Sequence, residues 1–217
     1  NRATFRPFHS MEGVVLRSGG IAMKKMLLLA VLVAGIAAPA AAQSVAYGQS
    51  TEVRGSLLYH DLGLNEEGRI EEGFDLQGEI IGPKLNALKW IAAPRASLMA
   101  SVNTAGGTNY VAASLVWGGN WSERWFGEFG LGYALHDGDT TVVYKRDDPR
   151  YQRLDPNRLA TGSADLFRLG LLVGYRVSDR MTVSLASEHL SHAGLLGKGN
   201  RQGLDGAGLR IGYTLGQ

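Results

Sequence analysis

Three polar residues near the C-terminus have the types and the spacing for acyl transfer. His189 and Ser191 stand two positions apart, and Asp205 follows after one loop. A serine hydroxyl is a weak nucleophile until a base removes its proton. A histidine can be that base, and a carboxylate on its other ring nitrogen fixes the tautomer and supports the cation that forms. The order His, Ser, Asp along the chain is no obstacle, because such relays are defined by geometry. On a strand, residues i and i+2 project to one side about 7 Å apart at Cα, a gap that side chains can close. The chemistry therefore depends on whether these residues lie on strands, and on which way the strands face.

The surrounding sequence alternates at period 2, the signature of a strand. Ala207, Leu209, Ile211, Tyr213 and Leu215 form one face, against Gly206, Gly208, Arg210, Gly212 and Thr214. The stretches 124–133 and 166–177 repeat the pattern, and eight strands are expected near 52–62, 72–82, 91–103, 108–118, 123–135, 164–178, 181–192 and 203–215. The second face is mostly glycine with isolated Arg or Glu. A sandwich would turn its apolar face inward and its polar face to water. A narrow barrel needs small residues and a few paired charges inside, with apolar and aromatic residues on the lipid-facing wall. The pattern predicts an all-β fold, an eight-stranded antiparallel transmembrane β-barrel of the outer membrane. A soluble barrel of lipocalin type is the structural alternative. An even strand number puts both ends of the barrel chain on the periplasmic side. The short connections 83–90, 119–122 and 179–180 then fall there, and the long ones, 136–163 and 193–202, are extracellular.

Extending the period aims the three residues outward. Met181, Val183 and Leu185 continue to Ser187, His189 and Ser191, and the Leu215-to-Ala207 face continues to Asp205. Polar groups directed at hydrocarbon are costly and often functional. At the rim, in the headgroup region, the cost is small, and periodicity leaves both readings open. Either way the residues lie at outer-leaflet depth, where a Gram-negative membrane holds lipopolysaccharide.

Other constellations point elsewhere. His189 and His192, with Glu188 or Asp205, would make a metal set, but 189 and 192 face opposite sides of a strand; no metal and no cofactor are expected. Glu188 shares inward parity with Glu128, Arg168, Arg176 and Arg210, which predicts a charge network in the lumen. His60-Asp61 falls at the extracellular end of strand 1, beside strand 8 once the barrel closes. The pairs Gly106-Gly107 and Gly118-Gly119 read as turns, since no helix follows to make a phosphate site.

The 217 residues carry no Cys, which excludes a disulfide scaffold, a thiolate metal site and a Cys nucleophile. Met23, Lys24 and Lys25, the apolar run 27–38 and Pro39-Ala40-Ala41-Ala42 describe a secretory signal peptide, 23–42, cleaved after Ala42. Its apolar run is shorter than the ~20 residues a membrane helix needs. Residues 1–22 read as a non-native upstream extension, and 43–217 as a single barrel domain. Removing 1–42 takes away Arg2, Arg6, Arg17, Lys24, Lys25 and Glu12, and turns the net charge of +2 into −2. Nucleic-acid binding then has no compositional support.

At its reactive residues the chain resembles the lipid A 3-O-deacylase family, also called acyloxyacyl hydrolases. The family pattern is His-x-Ser-Asn-Ala-Gly, a short loop, then Gly-(Ile/Leu)-(Glu/Asp). This chain reads His189-Leu190-Ser191-His192-Ala193-Gly194, then Gly203-Leu204-Asp205. The stretch Ala100-Ser101-Val102-Asn103-Thr104-Ala105-Gly106-Gly107-Thr108 is also similar. The resemblance implies His189 as general base, Ser191 as nucleophile and Asp205 as the acidic member. His192 replaces the Asn that helps to stabilise the oxyanion, which leaves His192 and the backbone N–H groups of Ala193 and Gly194 as candidate donors. The implied protein is an integral outer-membrane serine esterase that removes the 3-O-linked acyl chain of lipid A in the outer leaflet. The other reading is a small structural barrel without catalysis.

Overall fold

Residues 47–64, 68–142, 149, 157–197 and 203–215 are described in the computed structural model. The expected upstream extension, 1–22, and the expected signal peptide, 23–42, lie outside them. Eight strands form one closed antiparallel barrel in sequence order. They are β1 (Glu52–Tyr59), β2 (Phe74–Lys84), β3 (Arg95–Asn103), β4 (Tyr110–Asn120), β5 (Trp125–His136), β6 (Asp165–Arg176), β7 (Met181–Ser191) and β8 (Leu204–Thr214). β8 pairs with β1, so the sheet has no free edge. The alternation expected from sequence sets which residues face in. On β6, Leu166, Arg168, Gly170, Leu172, Gly174 and Arg176 are buried, while Phe167, Leu171 and Val173 are exposed. The outer wall is correspondingly apolar, with Leu57, Leu76, Leu98, Leu131 and Ile211 about half exposed.

Three boundaries differ from the sequence expectation, each for a local reason. β3 begins at Arg95 rather than 91, because Asn86–Ile91 forms a 3-10 helix and Ala92 and Ala93 take positive φ (64° and 46°) before Pro94. β1 ends at Tyr59, because the chain turns at Asp61 (φ 49°). Gly118 and Gly119 lie within β4 instead of forming a turn. A side chain on Gly118 would meet the Tyr47 hydroxyl at 2.7 Å, so this glycine makes room for Tyr47.

The lumen is filled by paired charges. Arg54 donates to both carboxylate oxygens of Glu128 at 2.6 and 2.7 Å and also bonds Glu52. Tyr47 caps Glu128 at 2.9 Å, and Arg95 reaches Glu52 at 2.7 Å. Farther along the barrel, Glu188 accepts hydrogen bonds from Arg168 at 2.7 and 2.9 Å and from Gln77 and Tyr110. Arg210 binds Ser56, Glu79 and Gln77. An unpartnered buried charge would cost several kcal/mol, and the pairing avoids it. Glycine supplies the remaining space: a Cβ at Gly174 would lie 2.2 Å from the Phe126 ring.

At the end that carries the long connections, a buried clasp joins three loops. His60, fully buried, bonds Asp75 through Nδ1 and Glu71 through Nε2, each at 2.7 Å. Glu71 also accepts the Thr108 N–H at 2.7 Å, the Thr108 hydroxyl at 3.0 Å and the Leu159 N–H at 3.0 Å. Asp61 turns the chain by accepting the N–H groups of Gly63, Ile70 and Glu71. Burial opposes a charge on His60, but its hydrogen bonds to Asp75 and Glu71 outweigh burial and raise its pKa to about 9. Burial likewise opposes a charge on Glu71, yet His60 and the two backbone N–H groups lower its pKa to about 2.

A raised histidine pKa stabilises the fold fully below the ordinary value near 6.5, and that contribution is lost as pH rises through the folded value. The melting temperature of the wild type should therefore exceed that of His60→Gln most at pH 6, with the gap closing as pH passes about 9. A gap that stays constant to pH 10 would contradict a charged His60.

Candidate active site on the lipid-facing wall

β7 and β8 hold the site through their register. His189 pairs directly with Asp205, and Glu188 with Gly206. Glu188 points into the lumen to meet Arg168, so the next residue, His189, must point out. Across this pair, His189 Nδ1 lies 2.7 Å from Asp205 Oδ1. The carboxylate can only accept, so Nδ1 carries the proton and Nε2 is left with its lone pair. The imidazole is 44% exposed and the carboxylate 13%, so the base is reachable while its partner is shielded.

The site is also supported from behind. The Leu62 N–H donates to the Asp205 backbone carbonyl at 2.9 Å, which ties β8 to the loop held by Asp61. His60 and Asp61 thus lie beside the site, as expected, but both are fully buried and His60 faces the clasp. Gly203 lies against the imidazole. A Cβ there would lie 2.7 Å from His189 Cε1 and 3.0 Å from the Leu190 carbonyl oxygen.

Ser191 closes β7 on the same outward face, two residues beyond His189, and pairs with Phe167 on β6. Among the described residues no hydrogen bond joins its hydroxyl to the imidazole. The two are adjacent on one face, at the spacing where a change of rotamer brings them into contact. From Ser191 a row of outward residues runs strand by strand around the wall: Phe167, Tyr133, Ala113, Leu98 and Ile80. Every member is apolar or aromatic, which suits an acyl chain.

The three candidate oxyanion donors are placed differently from one another. His192 is buried, at 2% exposure, and its Nδ1 accepts the Gly194 N–H at 2.9 Å. It thereby makes the side-chain-to-backbone turn that an Asn would make, but it is not brought beside His189. The Gly194 N–H is spent on that turn. Ala193 is exposed, with φ at 51°, and its N–H has no hydrogen-bond partner among the described residues. Among the described residues, no cluster of three or more His, Asp or Glu side chains is arranged to hold a metal. No residue pattern marks the clasp around Glu71. Gly203 is visible in the sequence as part of the Gly-Leu-Asp pattern, but without a role.

A closed eight-stranded barrel with an apolar outer wall and a lumen filled by paired charges is the architecture of an outer-membrane β-barrel. Residues 88–214 match the model of the PagL family, described as lipid A 3-O-deacylase. The match covers more than half of the chain, and the chain belongs to this family. Among solved structures the fold is similar to the crystal structure of the outer membrane enzyme PagL. The TM-score is 0.54 at 14% identity, covering 76% of this chain and 99% of that one. The N-terminal β-barrel domain of Pseudomonas aeruginosa OprF is also similar, with a TM-score of 0.42 at 9% identity, covering 78% and 100%. A search of curated proteins found no match.

The packing of Gly203 gives a direct expectation. Gly203→Ala should displace the imidazole and lower ester hydrolysis about 10²-fold, the typical cost of an ångström-scale misplacement. The folded barrel, read by its heat-modifiable electrophoretic mobility, should persist. Unchanged hydrolysis would show that His189 does not need its present position.

Proposed function

We propose that this protein hydrolyses the 3-O-linked acyl ester of lipid A in the outer leaflet, with Ser191 as nucleophile, His189 as general base and Asp205 as its acidic partner. We also propose that residues 23–42 direct its export. The observation that carries the mechanism is the 2.7 Å His189–Asp205 hydrogen bond, outside the barrel and beside Ser191. Substrate would arrive by lateral diffusion, since the lumen is filled.

Ser191 Oγ attacks the ester carbonyl carbon while its proton passes to His189 Nε2. The carbonyl oxygen becomes an oxyanion, which the free N–H of Ala193 can stabilise. In this reading His192 and Gly194 serve by holding that turn. Collapse breaks the bond to the sugar oxygen, which takes the proton from His189 and leaves as the 3-hydroxyl. Water then attacks the acyl-serine, again giving its proton to His189. The acid is released, and Ser191 regains its proton. Asp205 keeps the imidazole in the required tautomer and stabilises its cation. Polar groups at this rim remain close to external water, so the second step has its reactant.

Mass spectrometry of lipid A from cells expressing the protein tests this reading. The wild type should yield lipid A lighter by one 3-linked acyl chain, and Ser191→Ala should yield the unmodified mass. Asp205→Asn should retain slow turnover, reduced by roughly 10⁴-fold. Full activity of Ser191→Ala would remove Ser191 from its assigned role, and an inactive wild type would leave the barrel as a structural protein.

A further inference from the structure

Arg69 is an exposed cation at the rim that carries the site. It follows the turn of the β1–β2 connection, and its guanidinium carbon lies 4.2 Å from the centroid of the Tyr59 ring. One of its N–H groups donates to the Gly73 carbonyl at 3.4 Å. Tyr59 is itself held edge-on by Phe74, with centroids 5.7 Å apart at 82°. Both rings face outward and are partly exposed, at the depth where aromatic side chains mark the membrane–water interface.

Most other arginines have carboxylate partners or lie elsewhere. Arg54, Arg95, Arg168 and Arg210 are locked into the lumen network. Arg158 lies 4.0 Å from Glu71, and Arg124, Arg176 and Arg180 flank the short turns at the opposite end. Among the described residues, Arg69 has no carboxylate partner. The register puts it close to the reactive pair: Tyr59 pairs with Ala207, two residues from Asp205, and His189 lies one strand beyond. Strand spacing and rise put the Tyr59 Cα about 8 Å from that of Asp205 and about 12 Å from that of His189.

We propose that Arg69 is a headgroup subsite that binds a phosphate of the lipid whose ester reaches Ser191. This rests on the deacylase reading above and adds to it the group that orients the substrate. A guanidinium set over an aromatic face turns its N–H donors to the edge; one of them is engaged by the Gly73 carbonyl at 3.4 Å, and the others form a planar fork that matches two phosphate oxygens. The ring restrains the side chain before the ligand arrives, so less freedom is lost on binding. A phosphate held roughly one sugar's width from the pair would fix which ester approaches the nucleophile.

Binding, read without turnover, decides this apart from catalysis. Ser191→Ala protein, with and without Arg69→Gln, is titrated with diphosphoryl lipid A and with the same lipid A stripped of phosphate, in identical detergent micelles. Arg69 intact should prefer the phosphorylated lipid by roughly 10-fold or more, as expected for a charge-assisted bidentate contact. Arg69→Gln should lose that preference and leave binding of the stripped lipid unchanged. Arg69→Lys should restore only part of it. Inorganic phosphate at millimolar concentration should not displace the lipid. Equal weakening toward both lipids, or no change, would overturn the subsite. Displacement by inorganic phosphate that depends on Arg69, with no discrimination between the lipids, would overturn the headgroup assignment. Failure of deacylation in the wild type would count against the proposed function and leave this binding result to stand or fall separately.

Discussion

The width of an eight-stranded barrel constrains everything else in this molecule. Such an interior is just wide enough for side chains. Here it is occupied by Arg54, Glu79 and Glu128 toward one end, and by Glu188, Arg168 and Arg210 farther along. Each of these charges is answered by another, because several buried charges without partners would outweigh the small net stability of a domain. Among the described residues, Arg176, expected in the same network, instead reaches only the Asn120 amide oxygen at 3.5 Å, and its Nε has no hydrogen-bond partner. A lumen filled in this way leaves no passage for a lipid, so chemistry has to stand on the wall or the rim. The same pairing also sets the register. Slipping β7 by one residue would turn Glu188 toward lipid and His189 into the lumen. The Glu188–Arg168 ion pair therefore decides, at one residue's remove, that the imidazole faces outward.

An outward site meets its lipid without an entry channel, but it must hold its geometry where one side is fluid. The structure supplies that support from the protein side. The His189–Asp205 pair spans two hydrogen-bonded strands, so neither member depends on a loop for its placement. The Asp205 carbonyl is bonded to Leu62, whose loop is turned by Asp61 and anchored through Glu71 to His60, Thr108 and Leu159. Gly203 removes the one side chain that would collide with the ring. Together these contacts hold the acid–base pair in one arrangement before any substrate binds, as electrostatic catalysis requires.

Much of this was legible in the sequence because strand parity is a strict code. The alternation of Leu209, Ile211 and Tyr213 with Gly208, Arg210 and Gly212 placed both the lumen charges and the outward site. What escaped it depends on contacts between distant segments or on backbone conformations that residue types do not encode. The left-handed residues Ala92 and Ala93 shorten β3 although alanine carries no turn signal. Glu71 precedes β2 as one of several acidic residues, and only the closed barrel brings Thr108 and Leu159 to it. The position of His192 after Ser191 suggests an oxyanion donor. The His192 ring is buried on the inward parity of Glu188 and Leu190, opposite His189, and turns to the Gly194 N–H.

In the proposed mechanism an outward His189–Asp205 pair activates Ser191 at the lipid face. The most direct measurement is intact-protein mass spectrometry after exposure of the micelle-embedded barrel to a long-chain alkyl fluorophosphonate, with peptide mapping of the adduct. The account predicts a single phosphonyl adduct on Ser191 that forms in the wild type and is abolished by His189→Ala. An adduct on another residue, or equal labelling of Ser191 without His189, would contradict it.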